Sequence, residues 1–100
     1  PGCSEHQTGL AIDLALNQEN IDFICPSFPD EGICHLFQQL APSYGFILRY
    51  PKGKETVTKI GWEPWHFRYV GTPHAQIITN HHLTLEEYLL HSSVLKACAK

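Results

Sequence analysis

Apolar positions along the chain repeat with two periods. Ile33, Leu36, Phe37 and Leu40 recur at i, i+3, i+4 and i+7, which lays one apolar face along a helix. Asp30 is a good N-cap for it, and Pro42 and Gly45 bracket its end. A last helix begins at Thr84, with Leu85, Tyr88, Leu89 and Leu95 as its stripe. Glu87, three residues after Thr84, completes a capping box. Between them, Thr72 as N-cap and Pro73 at the first helical position start a helix carrying Ala75, Ile77 and Ile78 to about Asn80. His35 and His91 stand off the apolar stripes and read as surface residues.

The remaining apolar runs are short and β-like. Residues 10–16 are aliphatic apart from Asp13. Residues 46–50 form a strand closed by Pro51. Residues 55–60, anchored by Val57 and Ile60, form a second, paired with the first like a hairpin across Lys52-Gly53-Lys54. Residues 66–70 form the next strand, after breaks at Gly61 and Pro64. Residues 1–9 read as a loop entering a strand. Residues 17–30 read as a long irregular stretch with one extended piece at 21–25. The fold class predicted is α+β: a small, mostly antiparallel sheet flanked by helices.

One hundred residues make one domain at most. Such a chain buries about two-thirds of its unfolded surface, so its core is thin and a metal ion would reinforce it. A net charge of −3 without a basic cluster argues against nucleic acid as a partner. No apolar run is long enough to span a membrane. The four cysteines, Cys3, Cys25, Cys34 and Cys98, form no CxxC pair. Reduced, mostly buried thiols are the favoured reading, a two-disulfide framework the alternative. With no signal peptide, the expected location is the cytoplasm. The chain opens at Pro1-Gly2 without an initiator methionine, so upstream residues are expected to have been removed or to lie elsewhere.

Seven histidines change the picture, because histidine enrichment points to metal or proton chemistry. Two blocks concentrate it: residues 4–13, with His6 and Asp13, and residues 62–71, with Glu63 and His66. A carboxylate within an aliphatic run, as at Asp13, is costly unless paired or metal-bound. His6 and Asp13 are seven apart, so on one continuous strand they would face opposite ways. Convergence needs a turn, and Gly9 is the place for it. Catalytic zinc sites take three protein ligands and leave a position for water, whose pKa falls to about 7. Two imidazoles and one carboxylate, His6, His66 and Asp13, meet that need. Glu63, not a ligand, would accept the water proton and return it to the leaving amine. A kink at Pro64 would bring it beside His66. Trp62 and Trp65 would supply low-dielectric walls, with plain aromatic core as the rival reading for Trp65 and Tyr69. Arg68 reads as a paired structural arginine. His74, His81 and His82 have no carboxylate at ligand spacing.

Ser4, His6, Gly9, Ala11 and Asp13, joined to Glu63, Trp65, His66 and residues 68–71, resemble the VanX/VanY-type zinc D-Ala-D-Ala peptidases. These belong to the LAS metallopeptidases, which include hedgehog-like domains. The text around both blocks looks most like the bifunctional VanXY dipeptidase/carboxypeptidase branch. The match covers most of residues 1–71, and the C-terminal helices are less distinctive.

The resemblance implies one Zn2+ per chain on His6, Asp13 and His66, with Glu63 as catalytic base. It implies that Ser4 lines the pocket for the terminal D-Ala, and Trp65 joins it as a substrate-binding candidate. The implied reaction is hydrolysis of D-Ala-D-Ala, or removal of D-Ala from peptidoglycan precursors, in vancomycin resistance. The family also carries an upstream half with an arginine that stabilises the oxyanion, which has no counterpart here. Residues 1–100 are therefore expected to be the C-terminal part of one catalytic domain, weak or inactive alone. Association with that half or with another copy would cover exposed apolar surface. A zinc-stabilised binding module without catalysis is the alternative. A cysteine hydrolase built on Cys3 is a distant third, because Cys3 lies near His6 but no acid or base arrangement is evident around it.

Overall fold

The structure is a computed structural model that describes residues 5–22 and 26–98, with side chains as far as His91. A three-residue strand β1 (Ala11–Asp13) follows a 3-10 turn at Glu5–Thr8. Helix α1 (Gly32–Leu40) runs into a second 3-10 turn, Ala41–Tyr44, and then strand β2 (Phe46–Leu48). A single helical turn α2 (Glu55–Thr58), strand β3 (His66–Tyr69), helix α3 (His74–Asn80) and helix α4 (Leu85–Cys98) complete the chain. The sheet is antiparallel in the order β1-β3-β2. The α+β architecture is thus the one the sequence predicts. No helix among the described residues is long and apolar enough to cross a membrane.

Period-two alternation on β3 divides the core between the two sheet faces. Phe67 is almost fully buried on one face, clustered with Phe28, Cys34 and Ala41. Phe37, Phe46, Leu48, Leu14, Leu16 and Trp65 pack around that cluster. The rings of Phe37 and Phe28 meet Phe67 edge-on at 4.9 and 5.7 Å. Ile47, opposite Arg68 in the ladder, belongs to a second cluster with Ala75, Ile78 and Leu85 from α3 and α4. His66 and Arg68 stand at alternate positions from Phe67, which turns them away from the phenylalanine cluster.

Several local expectations are corrected. Residues 55–60 are not a strand. Glu55 accepts a hydrogen bond from the Gly53 amide at 3.1 Å, and Val57 N–H donates to the Lys54 carbonyl at 3.0 Å, which starts a helical turn. Lys59, at φ 67°, ends it in the left-handed region. The predicted hairpin therefore does not form, and β2 pairs with β3 instead. Asp30 does not cap α1, because its carboxylate lies 2.6 Å from His35 Nδ1; Glu31 takes the N-cap position without a side-chain cap bond. Pro73 occupies the N-cap of α3, after a cis Thr72–Pro73 bond, so Thr72 is not the cap. The capping box at α4 does form: Thr84 N–H donates to Glu87 Oε1 at 2.8 Å, and Glu87 N–H donates to Thr84 Oγ1 at 3.0 Å. Gly45 adopts φ 92° and closes the turn after α1, as expected. On α1, Phe37 packs inward while Ile33 is 75% exposed, so only part of the predicted stripe is used. The extended piece at 21–25 lies mainly outside the described residues, as do Cys3 and Cys25. Cys34 is a buried free thiol.

Candidate metal centre

Cross-strand register builds the first half of the site. Asp13 at the end of β1 stands directly opposite His66 at the start of β3. Directly opposed residues of an antiparallel pair share a face. Asp13 Oδ1 accordingly lies 3.4 Å from His66 Nδ1. His6 arrives from the 3-10 turn rather than from a strand, so strand parity does not constrain it. Thr8 Oγ1 donates to the Glu5 carbonyl at 2.6 Å, the Gly9 amide donates to the His6 carbonyl at 3.1 Å, and Gly9 reverses the chain at φ 75°. That turn folds His6 Nε2 back to 3.1 Å from Asp13 Oδ1.

Glu63 reaches the same place through a β-turn. His66 N–H donates to the Glu63 carbonyl at 3.2 Å, with Pro64 preset for the second turn position. The Glu63 amide is anchored on the Tyr50 carbonyl at 3.0 Å. Its carboxylate then lies 3.3 Å from His66 Nδ1. Burial pushes the Glu63 carboxyl above the ordinary glutamate range. The negative field of Asp13 adds to this, while His66 and His6 pull the other way.

The nitrogen of His66 that faces away from these carboxylates is also engaged. Nε2 lies 2.8 Å from Glu5 Oε1. The other oxygen of Glu5 accepts from Arg49 Nε at 2.9 Å and from Arg68 Nη1 at 2.8 Å. Arg49 also forks onto Glu86, at 2.7 and 3.0 Å. Burial acts on Glu5 most strongly of all and would raise its pKa. The hydrogen bonds from His66, Arg49 and Arg68, with the charge of Arg49, outweigh it and hold the carboxyl below its usual range. Tyr50 meets the His66 ring edge-on at 4.9 Å and lies under the Arg49 guanidinium at 4.8 Å.

Among the described residues, His6, Asp13 and His66 form the group that could hold a metal ion, with donor atoms all within 4.8 Å of one another. Ligands about 2.1 Å from a tetrahedral zinc are themselves about 3.4 Å apart. The 3.1 and 3.4 Å separations from Asp13 fit that geometry. Two neutral imidazoles and a carboxylate also match zinc chemistry, so the residues present fit the group.

The other candidates fall elsewhere. Ser4 lies outside the described residues. Trp65 is partly buried and packs on the phenylalanine cluster, which favours the aromatic-core reading. Trp62 is half exposed, with Lys52 Nζ 5.3 Å from its ring. Arg68 is structural, as expected. His74 Nδ1 lies 2.7 Å from the Tyr88 hydroxyl and is not among the residues grouped as metal donors. Sequence reasoning missed Glu5, Arg49, Tyr50 and Glu86. For Glu5 the signal was present: an acidic residue directly before a histidine ligand candidate.

The family model for VanY, D-alanyl-D-alanine carboxypeptidase, matches residues 1–72. The chain belongs to the VanY family. Among its relatives, the bifunctional D-Ala-D-Ala dipeptidase and carboxypeptidase VanXYC of Enterococcus gallinarum is 61% identical over 89 residues, covering 88% of this chain and 47% of that protein. The vancomycin resistance D,D-dipeptidase VanXYg, solved with a D-Ala-D-Ala phosphinate analogue, superposes with a TM-score of 0.87 at 58% identity; the match covers 88% of this chain and 35% of that one. A VanY D,D-pentapeptidase from a VanB-type resistance cassette, solved with Zn(II), superposes at 0.64 with 36% identity, covering 89% and 46%. The chain thus spans about half the length, or less, of these VanY-family relatives.

Proposed function

We propose that residues 1–100 form part of a zinc D,D-peptidase catalytic domain that hydrolyses D-Ala-D-Ala or removes the C-terminal D-Ala of peptidoglycan precursors. The observation that carries this reading is the convergence of His6, Asp13 and His66 with the non-ligand carboxylate of Glu63 beside them. One zinc would be held by Nε2 of His6, Oδ1 of Asp13 and Nδ1 of His66. Bound there, it supplies a Lewis acid for the scissile carbonyl and for the attacking water. Glu63 takes the proton from that water and delivers it to the leaving amine of D-Ala. Its raised pKa suits a group that must both accept and return a proton. Arg49 and Arg68 both donate to Glu5, and the oxyanion donor is expected from the upstream half of the domain. That donor, like Ser4's contact with the terminal carboxylate, belongs to the proposal rather than to the described geometry. The exposed apolar side of α1, with Ile33 and Leu36, suits packing against further parts of such a domain or against a second copy. A cytoplasmic location in a bacterium is part of the same proposal.

The test measures zinc binding and D-Ala release together. Zinc-loaded protein is incubated with D-Ala-D-Ala and with a D-Ala-terminated pentapeptide. Removing a positioned general base lowers such rates about 10²–10⁴-fold. Glu63→Ala is therefore expected to keep the zinc and lose release by that factor. Loss of zinc in Glu63→Ala would make Glu63 a ligand. Zinc binding without any release from either substrate, even with the upstream half of the domain supplied, would favour the non-catalytic module.

A further inference from the structure

The zinc site as proposed uses Nδ1 of His66, and a neutral imidazole can offer that nitrogen only when its proton sits on Nε2. Two observations bear on where the proton sits. Nδ1 faces the carboxylates of Asp13 and Glu63 at 3.4 and 3.3 Å, which in a metal-free protein would draw the proton to the wrong nitrogen. Nε2 faces Glu5 at 2.8 Å, a shorter contact. Glu5 Oε2 holds two guanidinium groups, so the carboxylate is ionised and can only accept. The proton of that contact therefore belongs to His66 Nε2. Both partners are largely buried, with side-chain exposures of 7% for His66 and 12% for Glu5, so water competes little.

We propose that Glu5 is a positioning residue that fixes the Nε2–H tautomer of His66 and turns Nδ1 toward Asp13 and the metal position. This rests on the site proposed above but goes beyond its ligands and base. The arginines give Glu5 its polarity: they fix which oxygen faces them and leave Oε1 for the histidine. The isosteric amide would behave differently. A glutamine side chain in this place has one oxygen, and Arg49 and Arg68 both require it. Its NH₂ would then face His66 Nε2, which must become the acceptor. The proton moves to Nδ1, where it blocks the metal position.

The experiment uses the whole chain, labelled with 15N. Two-bond 1H–15N correlation spectra identify which nitrogen of His66 is protonated, in metal-free protein at alkaline pH and in zinc-loaded protein. Competition with a chromophoric chelator gives zinc affinity. Wild type is expected to show Nε2–H in both states. Glu5→Gln is expected to show Nδ1–H without metal, and to bind zinc about 10–100-fold more weakly, the usual effect of losing such an outer partner. Glu86→Gln loosens Arg49 without touching His66. It is expected to keep the wild-type tautomer and zinc affinity within about threefold, well inside that range. Wild type with Nδ1–H overturns the proposal. So does a Glu5→Gln protein that keeps Nε2–H and near-wild-type zinc affinity. Equal zinc loss in Glu86→Gln also overturns it, leaving Glu5 a mere partner of the arginines. Should Glu5→Gln fail to fold, the wild-type tautomer alone decides. Wild type that binds no zinc sinks the site, while the metal-free spectrum still decides the role of Glu5.

Discussion

Replacing Arg49 by methionine removes a cation that holds two glutamates and leaves its apolar stem in place. Arg49 and Glu5 have side-chain exposures of 11% and 12%, while Glu86 is 35% exposed. Deleting one partner of a buried pair costs about 3–5 kcal/mol, because the other charge stays buried without compensation. Two features place this site at the lower end of that range. Arg68 remains on Glu5, and the Glu86 arm is partly screened by water. The expected loss is therefore about 3 kcal/mol, a large share of the roughly 5–15 kcal/mol that holds a domain folded. With a urea dependence of about 1.5 kcal/mol per molar, the unfolding midpoint should drop by about 2 M.

The assay is urea unfolding followed by far-UV circular dichroism, with chelator present so that metal linkage does not contribute. Lys54→Met serves as the internal comparison. Lys54 also pairs with a glutamate, Glu87, but both side chains are 31% exposed. Such a pair is worth about 0–1 kcal/mol. Arg49→Met should therefore lie well below Lys54→Met in midpoint. Equal midpoints would refute the claim that burial, rather than the mere presence of an ion pair, sets the worth of the Glu5–Arg49–Glu86 chain.

Three further outcomes follow from the same geometry. Phe67→Ala empties the centre of the phenylalanine cluster and should cost about 3–5 kcal/mol, read as a lower urea midpoint. Gly45→Ala puts a Cβ 2.6 Å from Tyr69 Cε1 and 3.0 Å from the Gly71 backbone, at φ 92°. It should lower the melting temperature more than Gly9→Ala, where φ is 75° but the space is open. In metal-free protein, the lowered carboxyls of Glu5 and Glu87 contribute stability that is present above the ordinary glutamate range and is lost as pH falls through their folded values. Glu63, whose pKa is raised, acts with the opposite sign: its contribution is present at low pH and lost as pH rises. Midpoints measured from pH 7 down to pH 3 should therefore fall less steeply in Glu5→Gln, where one acid-labile group is gone. They should fall more steeply in Glu63→Gln, where the opposing group is gone.

The grouping of His6, Asp13 and His66 was legible because these residues lie in two dense blocks whose spacing constrains the chain. Gly9 had to provide a turn and does, although the turn is helical and not a bulge in a strand. Glu63 and His66, three apart, would point apart on a strand and share a face on a helix, which Pro64 argues against; the structure resolves this as a β-turn. Glu5 stood in plain view beside His6, but its partners were not legible. Its partners stand 44 residues away at Arg49, 61 at His66 and 63 at Arg68, and no local pattern encodes such contacts. The strand expected at residues 55–60 failed for a related reason. Val57 and Ile60 are three apart, a helical interval as much as an extended one, and the Glu55–Gly53 contact tipped the balance locally. Sequence neighbours usually pair in sheets, which favoured a hairpin. The partner β2 takes instead, β3, is the strand that supplies Phe67.

That choice of partner explains why core and site are inseparable in this fold. On β3, Phe67 belongs to the core, while His66 and Arg68 point the other way and meet Glu5. Pairing with β1 sets Asp13 opposite His66, and Arg49 N–H donates to the His66 carbonyl at 3.1 Å from the β2 side. The same ladder therefore fixes a ligand on one flank and the arginine that braces Glu5 on the other. A slip of one residue would exchange the two faces of β3, putting His66 in the phenylalanine cluster and Phe67 at the metal position. Burial of Phe67 thus enforces the register that sets Asp13 opposite His66. The hydrophobic face thereby fixes two of the donors, Asp13 and His66, and the turn at Glu5–Thr8 brings His6 to within 4.8 Å of both.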